Sequence, residues 1–101
     1  MNEKLLVNGK PIDYSPLPDY MRDGMRLYME HGIEPGGFLT AVLCNDLMTA
    51  AGAADSTNRH LLFEYTSWLY NRAPPSSYGS SKRVKAWIES YAAQRERRAT
   101  R

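Results

Sequence analysis

Four stretches of this sequence repeat apolar side chains at intervals of three and four residues, which is the period of an amphipathic helix. They span residues 17–29, 38–51, 61–69 and 84–91, and proline or glycine lies in each of the intervening segments. Because 101 residues suffice for one hydrophobic core and not for two, the four segments have to pack together. The sequence therefore predicts an all-α fold, a compact bundle of about four helices.

The first two predicted helices meet at a glycine-rich turn. The first runs from Asp19, or from the preceding proline, to His31, and Gly32 is expected to stop it in the left-handed conformation. Gly24 lies inside this helix, where glycine costs about 1 kcal/mol relative to alanine, so another group is expected to approach there. The second helix follows residues 34–37 and carries the richest apolar stripe of the chain, which predicts a central position.

The last two predicted helices have clear boundary signals. Asp55 or Ser56 caps the third helix, and the prolines at 74 and 75 stop it. Ser80 or its neighbour caps the fourth helix, and the pattern becomes polar beyond Ala93, so the chain is expected to fray there. The inward face of the fourth helix is predicted to consist of Val84, Trp87, Ile88 and Tyr91.

A short hairpin is predicted ahead of the helices. Asn8-Gly9 separates two short apolar stretches and is a strong signal for a two-residue hairpin turn, while Pro11 restricts the second strand to an edge. An isolated hairpin is marginally stable, so this arm is expected to pack on the helices or on a neighbouring subunit. The chain thus divides into a hairpin arm at 1–16, a helical domain at 17–93 and a basic tail at 94–101.

Positive charge is concentrated at the carboxyl end. Residues 82–101 hold seven basic and two acidic side chains, a net charge of +5, which leaves −3 for residues 1–81 of the total of +2. Such a segment attracts phosphate-rich partners, or it is a solvated last turn whose cations favour the helix carboxyl end. Binding of nucleic acid through this tail is therefore expected to be weak and independent of sequence.

Cysteine usage and hydropathy predict a cytoplasmic protein. Cys44 is the only cysteine and lies in an apolar run, so it is expected to be a small buried apolar group without a disulfide partner. The apolar run at the amino terminus is too short for a signal peptide, and no stretch approaches the roughly 18 apolar residues of a membrane span. Because a small domain leaves apolar area uncovered, a homo-oligomer is predicted, with no membrane partner.

The motifs of common catalytic and metal sites are missing from the sequence. It has no phosphate-binding glycine loop, no nucleophile elbow and no paired zinc ligands. Cys44 with His31 or His60 would be a nucleophile and base, but a thiol inside an apolar helix is inert rather than activated. We therefore expect a protein that is not an enzyme and that takes no metal ion or cofactor.

Polar residues and glycines near the predicted helix ends are the first candidate binding groups. The turn at residues 31–37 starts the second helix, whose free backbone N–H groups attract anions, although an ordinary connection between helices explains the same residues. Asp46, after Asn45, is expected near the buried face of that helix and needs a hydrogen-bond partner. A neighbouring helix end, Arg59 or a ligand would each supply one.

Aromatic and arginine side chains form the second candidate group. Rings with polar tips stack on nucleobases, and arginines bind phosphates in a bidentate manner. Most of the rings are explained equally well as core. The rings that are expected to be free for recognition are Tyr28, Tyr70 and Tyr78. Arginines at spacings suitable for phosphates beside them are Arg22, Arg26, Arg59 and Arg72.

One motif string resembles a known group of proteins. It consists of Tyr28-x-x-His31-Gly32-x-x-Pro35-Gly36-x-Phe38-Leu39-x-Ala41-Val42-Leu43-x-Asn45-Asp46-Leu47, then Leu69-Tyr70-Asn71-x-x-Pro74, then Gly79-Ser80-x-x-x-Val84-x-x-Trp87. Over residues 20–88 the chain is similar to small accessory proteins of bacteriophages and prophages, a family of mostly unassigned function. The resemblance implies a phage origin, and hence the host-cell cytoplasm, more directly than it implies an activity.

These observations lead to one hypothesis and two alternatives. The hypothesis is a non-enzymatic, homo-oligomeric phage protein that binds and sequesters a small anionic ligand, above all a host immune-signalling nucleotide, because small phage proteins often act on host defence. The predicted ligand-binding residues are Tyr28, His31, Gly36, Gly37, Asn45, Asp46, Arg59, Tyr70, Asn71 and Tyr78. The alternatives are a protein inhibitor or adaptor of a host defence or replication protein, and a nucleic-acid binder that acts through the basic tail.

Overall fold

The computed structural model describes residues 5–7 and 9–99. The strands are β1 (Leu6–Val7) and β2 (Lys10–Pro11). The helices of this part of the chain are α1 (Asp19–His31), α2 (Gly37–Leu43), α3 (Leu47–Ala53), α4 (Ser56–Arg59), α5 (Leu62–Arg72) and α6 (Ser81–Ala99), with a 3₁₀ turn at Pro75–Ser77. The predicted mostly helical fold with a short hairpin is confirmed. The predicted number of about four helices is wrong, because two of them are divided.

The predicted second helix is divided at Asn45. This residue has a left-handed φ of 62° and ends α2, and the Asp46 carboxylate then caps α3 by accepting a hydrogen bond of 3.2 Å from the Thr49 backbone N–H. Asn and Asp favour such positions because their side chains bond nearby backbone groups. Asp46 is therefore exposed rather than near a buried face, and its partner is Thr49 rather than Arg59. Cys44, expected to be buried, is half-buried at the end of α2.

The predicted third helix is divided by a tight turn at residues 60–61. Asp55 caps the single turn of α4 as predicted, since its carboxylate accepts a hydrogen bond of 2.7 Å from the Asn58 backbone N–H. The Asn58 side chain is buried, and its amide oxygen accepts a hydrogen bond of 2.8 Å from the Tyr65 hydroxyl of α5. The Leu61 N–H donates to the Asn58 carbonyl, so a three-residue turn replaces the continuous helix. α5 then starts at Leu62 and ends before the prolines at 74 and 75, as predicted.

α6 packs along the carboxyl end of α1. The last carbonyl groups of a helix lack partners within it, and three side chains of α6, spaced one turn apart, donate hydrogen bonds to them. The pairs are Trp87 Nε1 with the Tyr28 carbonyl (3.0 Å), the Tyr91 hydroxyl with the Met29 carbonyl (3.0 Å) and the Arg95 guanidinium with the His31 carbonyl (2.5 Å). Because Arg95 takes part, the expected fraying beyond Ala93 is wrong, and α6 continues to Ala99. Thr100 and Arg101 of the predicted tail lie outside the described residues.

The core lies between α1, α2, α5 and α6. Its largest fully buried side chains are Tyr28 and Tyr65, and burial raises the pKa of both hydroxyls above the ordinary tyrosine value. Tyr28 donates a hydrogen bond of 2.7 Å to the Ser77 carbonyl, so neither buried hydroxyl is left unpaired. The neighbour of Gly24 is Leu39, whose Cδ1 lies 3.6 Å from where a Cβ would be, an ordinary contact. No helix of residues 5–7 and 9–99 has the length and hydropathy to cross a bilayer.

The hairpin arm packs on the helices, which is one of the two positions predicted for it. β1 and β2 pair antiparallel, with Leu6 opposite Pro11 and Val7 opposite Lys10. Gly9 has a φ of 79°, consistent with its place in the predicted turn, whereas Asn8 and residues 1–4 lie outside the described residues.

Gly32 gives the fold a sharp test. It adopts the predicted left-handed conformation (φ 64°), and a Cβ on it would lie 2.8 Å from Cγ of Tyr91 on α6. Gly32→Ala should therefore lower the free energy of unfolding by about 2 to 4 kcal/mol, measured by urea denaturation. Gly52→Ala is the matched control: Gly52 lies in α3 with open space around it, so alanine should raise the stability by about 0.5 to 1 kcal/mol. Equal effects of the two changes would contradict the α1–α6 contact.

Candidate functional site

The outer face of α5 is set by which of its residues enter the core. Tyr65, Trp68 and Leu69 are buried, and helical periodicity then turns Phe63, Ser67 and Asn71 towards the outside. The two polar side chains are bonded within α5, because the Asn71 amide donates a hydrogen bond of 2.8 Å to the Ser67 carbonyl. Two of the outward side chains of α5 are thus held by bonds within the helix.

The arm crosses α5 at Trp68. The indole Nε1 donates a hydrogen bond of 2.8 Å to the Asp13 carbonyl, and the Tyr14 ring lies 5.6 Å from the Trp68 ring. The Tyr14 hydroxyl in turn donates to the Glu30 carboxylate of α1 (2.8 Å), and burial, followed by this hydrogen bond, raises the Tyr14 pKa. The arm is therefore fixed on both α1 and α5, although it is short.

Two adjoining cavities flank this crossing, and we call them together the arm groove. One has a volume of about 570 Å³ and lies between Pro16 and α5; the other has a volume of about 730 Å³ and lies between the hairpin and the end of α5. Both are lined by Asn71 and Arg72. The first is further lined by Phe63, Glu64, Ser67 and Trp68, and the second by Val7, Lys10, Pro11, Ile12 and Asp13.

Two cations and two carboxylates face the arm groove. Within the described residues, the guanidinium of Arg72 has no hydrogen bond and no ion pair within 4 Å. The ammonium of Lys10 has none either. Asp13 is already engaged, because the Ser15 backbone N–H donates to it at 2.9 Å. That hydrogen bond, helped by the more distant Arg72 cation, holds the pKa of Asp13 below its ordinary value. Glu64 is the remaining carboxylate. The Arg72 guanidinium can therefore accept an anion without breaking an existing pair.

The arm groove presents ring, hydroxyl, amide and guanidinium groups to a molecule that enters it. Phe63 offers a ring face, Asn71 and Ser67 offer short polar groups, and Arg72 offers a planar fork of donors. Among the described residues, no three His, Cys, Asp or Glu side chains lie together as metal ligands do. Cys44 is not part of the groove, and burial raises the pKa of its thiol.

Asn71 is the one member of the predicted ligand set that lines the arm groove. Tyr70 is its neighbour and is 79% exposed, but it does not line the groove. Arg72, named among the arginines at suitable spacings, lines the groove, whereas Phe63 and Lys10 were missed. Nothing in the sequence around Lys10 indicates that a lysine of this hairpin lines a groove.

The other predicted ligand residues are not brought together by the groove. Tyr28 is fully buried, Tyr78 is half-buried, and Asn45 and Asp46 form the α2–α3 connection. Residues with exposed side chains or backbone away from the groove are His31, Gly36, Gly37 and Arg59. In the described residues no buried side-chain nitrogen or oxygen lacks a hydrogen-bond partner. At the helix ends, the Asp46 and Asp55 carboxylates are used by the chain itself as caps.

Comparison with protein-family models, curated proteins and solved structures finds no match to this chain.

The hydrogen bond between Trp68 and the Asp13 carbonyl should decide whether the arm stays closed. Trp68→Phe keeps a ring at this position but removes the donor, which should weaken arm docking by about 1 kcal/mol and speed amide exchange of residues 9–16 about fivefold. Trp87→Phe is the matched control, because it removes the donor to the Tyr28 carbonyl instead. Hydrogen exchange followed by mass spectrometry should show faster exchange in the arm only for Trp68→Phe. Unchanged arm exchange would mean that this bond does not hold the groove together.

Proposed function

We propose that this protein is a non-enzymatic binding protein that takes up a small anionic ligand of the nucleotide class in the arm groove. Arg72 carries the proposal: it is a guanidinium without an ion pair in the described structure, placed where the two cavities join. Ligand cavities have volumes of about 300 to 1,000 Å³, and both cavities fall in this range.

The groups around Arg72 favour a ligand with both a ring and a phosphate. Phe63, exposed at the rim of the groove, has a face on which a base can stack. Arg72 and Lys10 reach phosphate oxygens from opposite walls, one from α5 and one from the hairpin. Asn71, which also lines both cavities, keeps its amide oxygen to accept a hydrogen bond from the edge of a base or from a sugar hydroxyl.

We propose that the protein uses this site to sequester its nucleotide ligand. A protein that holds a signalling nucleotide without cleaving it needs affinity and slow release, and it needs no catalytic group. The phage origin and the host immune signal stay predictions from the resemblance described above. The alternatives also stay predictions: neither an inhibitor of a host protein nor a nucleic-acid binder is tested by any contact in this structure.

Isothermal titration against cyclic dinucleotides, cyclic trinucleotides and ADP-ribose derivatives tests the proposal. At least one of them should bind, and Arg72→Gln should weaken it about 10- to 100-fold, because a charged hydrogen bond contributes about 1.5 to 3 kcal/mol. The ligand recovered after incubation should be chemically intact by liquid chromatography. Arg98→Gln is the matched control: it removes the same positive charge from an exposed position of α6 and should leave the affinity unaltered.

Two outcomes of this titration would contradict the arm groove as the site. If no compound of the panel binds, the proposed ligand class is wrong. If Arg59→Gln weakens binding while Arg72→Gln does not, the ligand lies at the originally predicted residues and not in the groove.

A further inference from the structure

Glu64 is an acidic side chain in a groove proposed for an anion, and the phosphate contacts described above do not use it. It is exposed and lines the first cavity together with Phe63. Among residues 5–7 and 9–99 its carboxylate has no hydrogen bond and no ion pair within 4 Å. A carboxylate that loses water to a ligand has to receive hydrogen bonds from that ligand. The part of the ligand near Glu64 is therefore expected to carry hydrogen-bond donors.

α5 places Glu64 and Arg72 at opposite ends of the first cavity. Residues spaced by three and four lie on one side of a helix, and four such residues line this cavity: Glu64, Ser67, Trp68 and Asn71. Arg72 lines it as well, eight residues beyond Glu64, which is about 12 Å along the helix axis. The cavity is thus acidic at one end and basic at the other. A ligand whose phosphate lies at Arg72 extends its other end towards Glu64.

The end of the cavity that holds Glu64 also holds the ring proposed to stack on a base. Phe63 directly precedes Glu64, and successive residues of a helix point about 100° apart. A base stacked on the Phe63 ring can therefore turn its edge towards the Glu64 carboxylate. Stacking accepts every base, whereas hydrogen bonds to the edge distinguish one base from another. Glu64 is thus placed to select the base.

We infer that Glu64 makes the arm groove selective for guanine, by accepting hydrogen bonds from N1–H and from the N2 amino group of the base. This inference rests on the proposed function, since it places the phosphate at Arg72. Guanine has two neighbouring donors on its Watson–Crick edge, and an ionised carboxylate has two oxygens that only accept. The resulting pair of hydrogen bonds is charge-assisted and bidentate. Adenine presents the N1 acceptor beside its amino group, so it leaves one carboxylate oxygen facing a lone pair.

Isothermal titration of the full chain with GMP, 1-methyl-GMP and AMP, and with cyclic di-GMP and cyclic di-AMP, measures this preference. Each unmodified guanine compound should bind at least about 10-fold more tightly than its adenine counterpart, because a site that accepts two hydrogen bonds rejects a base without both donors. 1-Methyl-GMP, which has lost the N1–H, should bind about as weakly as AMP.

Equal affinities for guanine and adenine compounds, with binding still weakened by Arg72→Gln, would overturn the choice of base and leave the proposed function standing. Full binding of 1-methyl-GMP would likewise overturn it, because the edge of the base would then not be in contact. If none of the five compounds binds, the inference falls, while the wider panel described above still decides the proposed function.

Glu64→Gln separates selection of the base from simple repulsion of anions. The glutamine amide keeps one acceptor and adds a donor that suits adenine, so the ratio of the GMP and AMP affinities should fall at least about 10-fold. If Glu64 only repels anions, its neutralisation strengthens GMP and AMP equally, and an unchanged ratio would therefore refute the inference. Glu89→Gln, at an exposed position of α6, is the matched control and should leave both affinities unaltered. Both variants should keep the wild-type circular dichroism spectrum.

Discussion

The carboxyl end of α1 is the point on which the other helices depend. Its last carbonyl groups receive hydrogen bonds from the Trp87, Tyr91 and Arg95 side chains of α6, and Gly32 lets the chain turn away against the Tyr91 ring. The Tyr28 carbonyl also accepts from the Gly32 backbone N–H, and the three α6 side chains add partners at this helix end, each hydrogen bond contributing about 0.5 to 1.5 kcal/mol. These contacts hold α6, which is otherwise largely polar, along the carboxyl end of α1.

The same kind of contact closes the rest of the core. The Leu43 carbonyl at the end of α2 accepts a hydrogen bond of 2.7 Å from the Gly79 backbone N–H, and the buried Tyr28 hydroxyl donates to the Ser77 carbonyl. Helix ends in this protein are therefore satisfied by other segments of the chain. On α5, the Trp68 indole turns inward to hold the arm, and Phe63 and Tyr70 are exposed.

Much of the fold could be predicted because its signals are local. Gly32 and the prolines at 74 and 75 stop helices through their own backbone restrictions, whatever surrounds them. The break at Asn45 could not be predicted in this way, because residues 38–51 keep a helical apolar period across it. There Asn45 adopts a left-handed conformation and the Asp46 carboxylate bonds the Thr49 backbone N–H, and this local turn and cap prevail over periodicity.

The candidate site was predictable only in part, because it depends on contacts that are distant in sequence. Asn71 and Arg72 stand out as polar residues near a helix end, but they line a cavity only because Asp13 accepts the Trp68 hydrogen bond 55 residues away. Lys10 lines the second cavity because the same crossing places the hairpin beside the end of α5. The helical period does not distinguish Phe63 from a core residue. Phe63 is exposed because α5 starts anew after the turn at Leu61. A cavity built between an arm and a helix is thus decided by tertiary packing, which residue patterns alone do not specify.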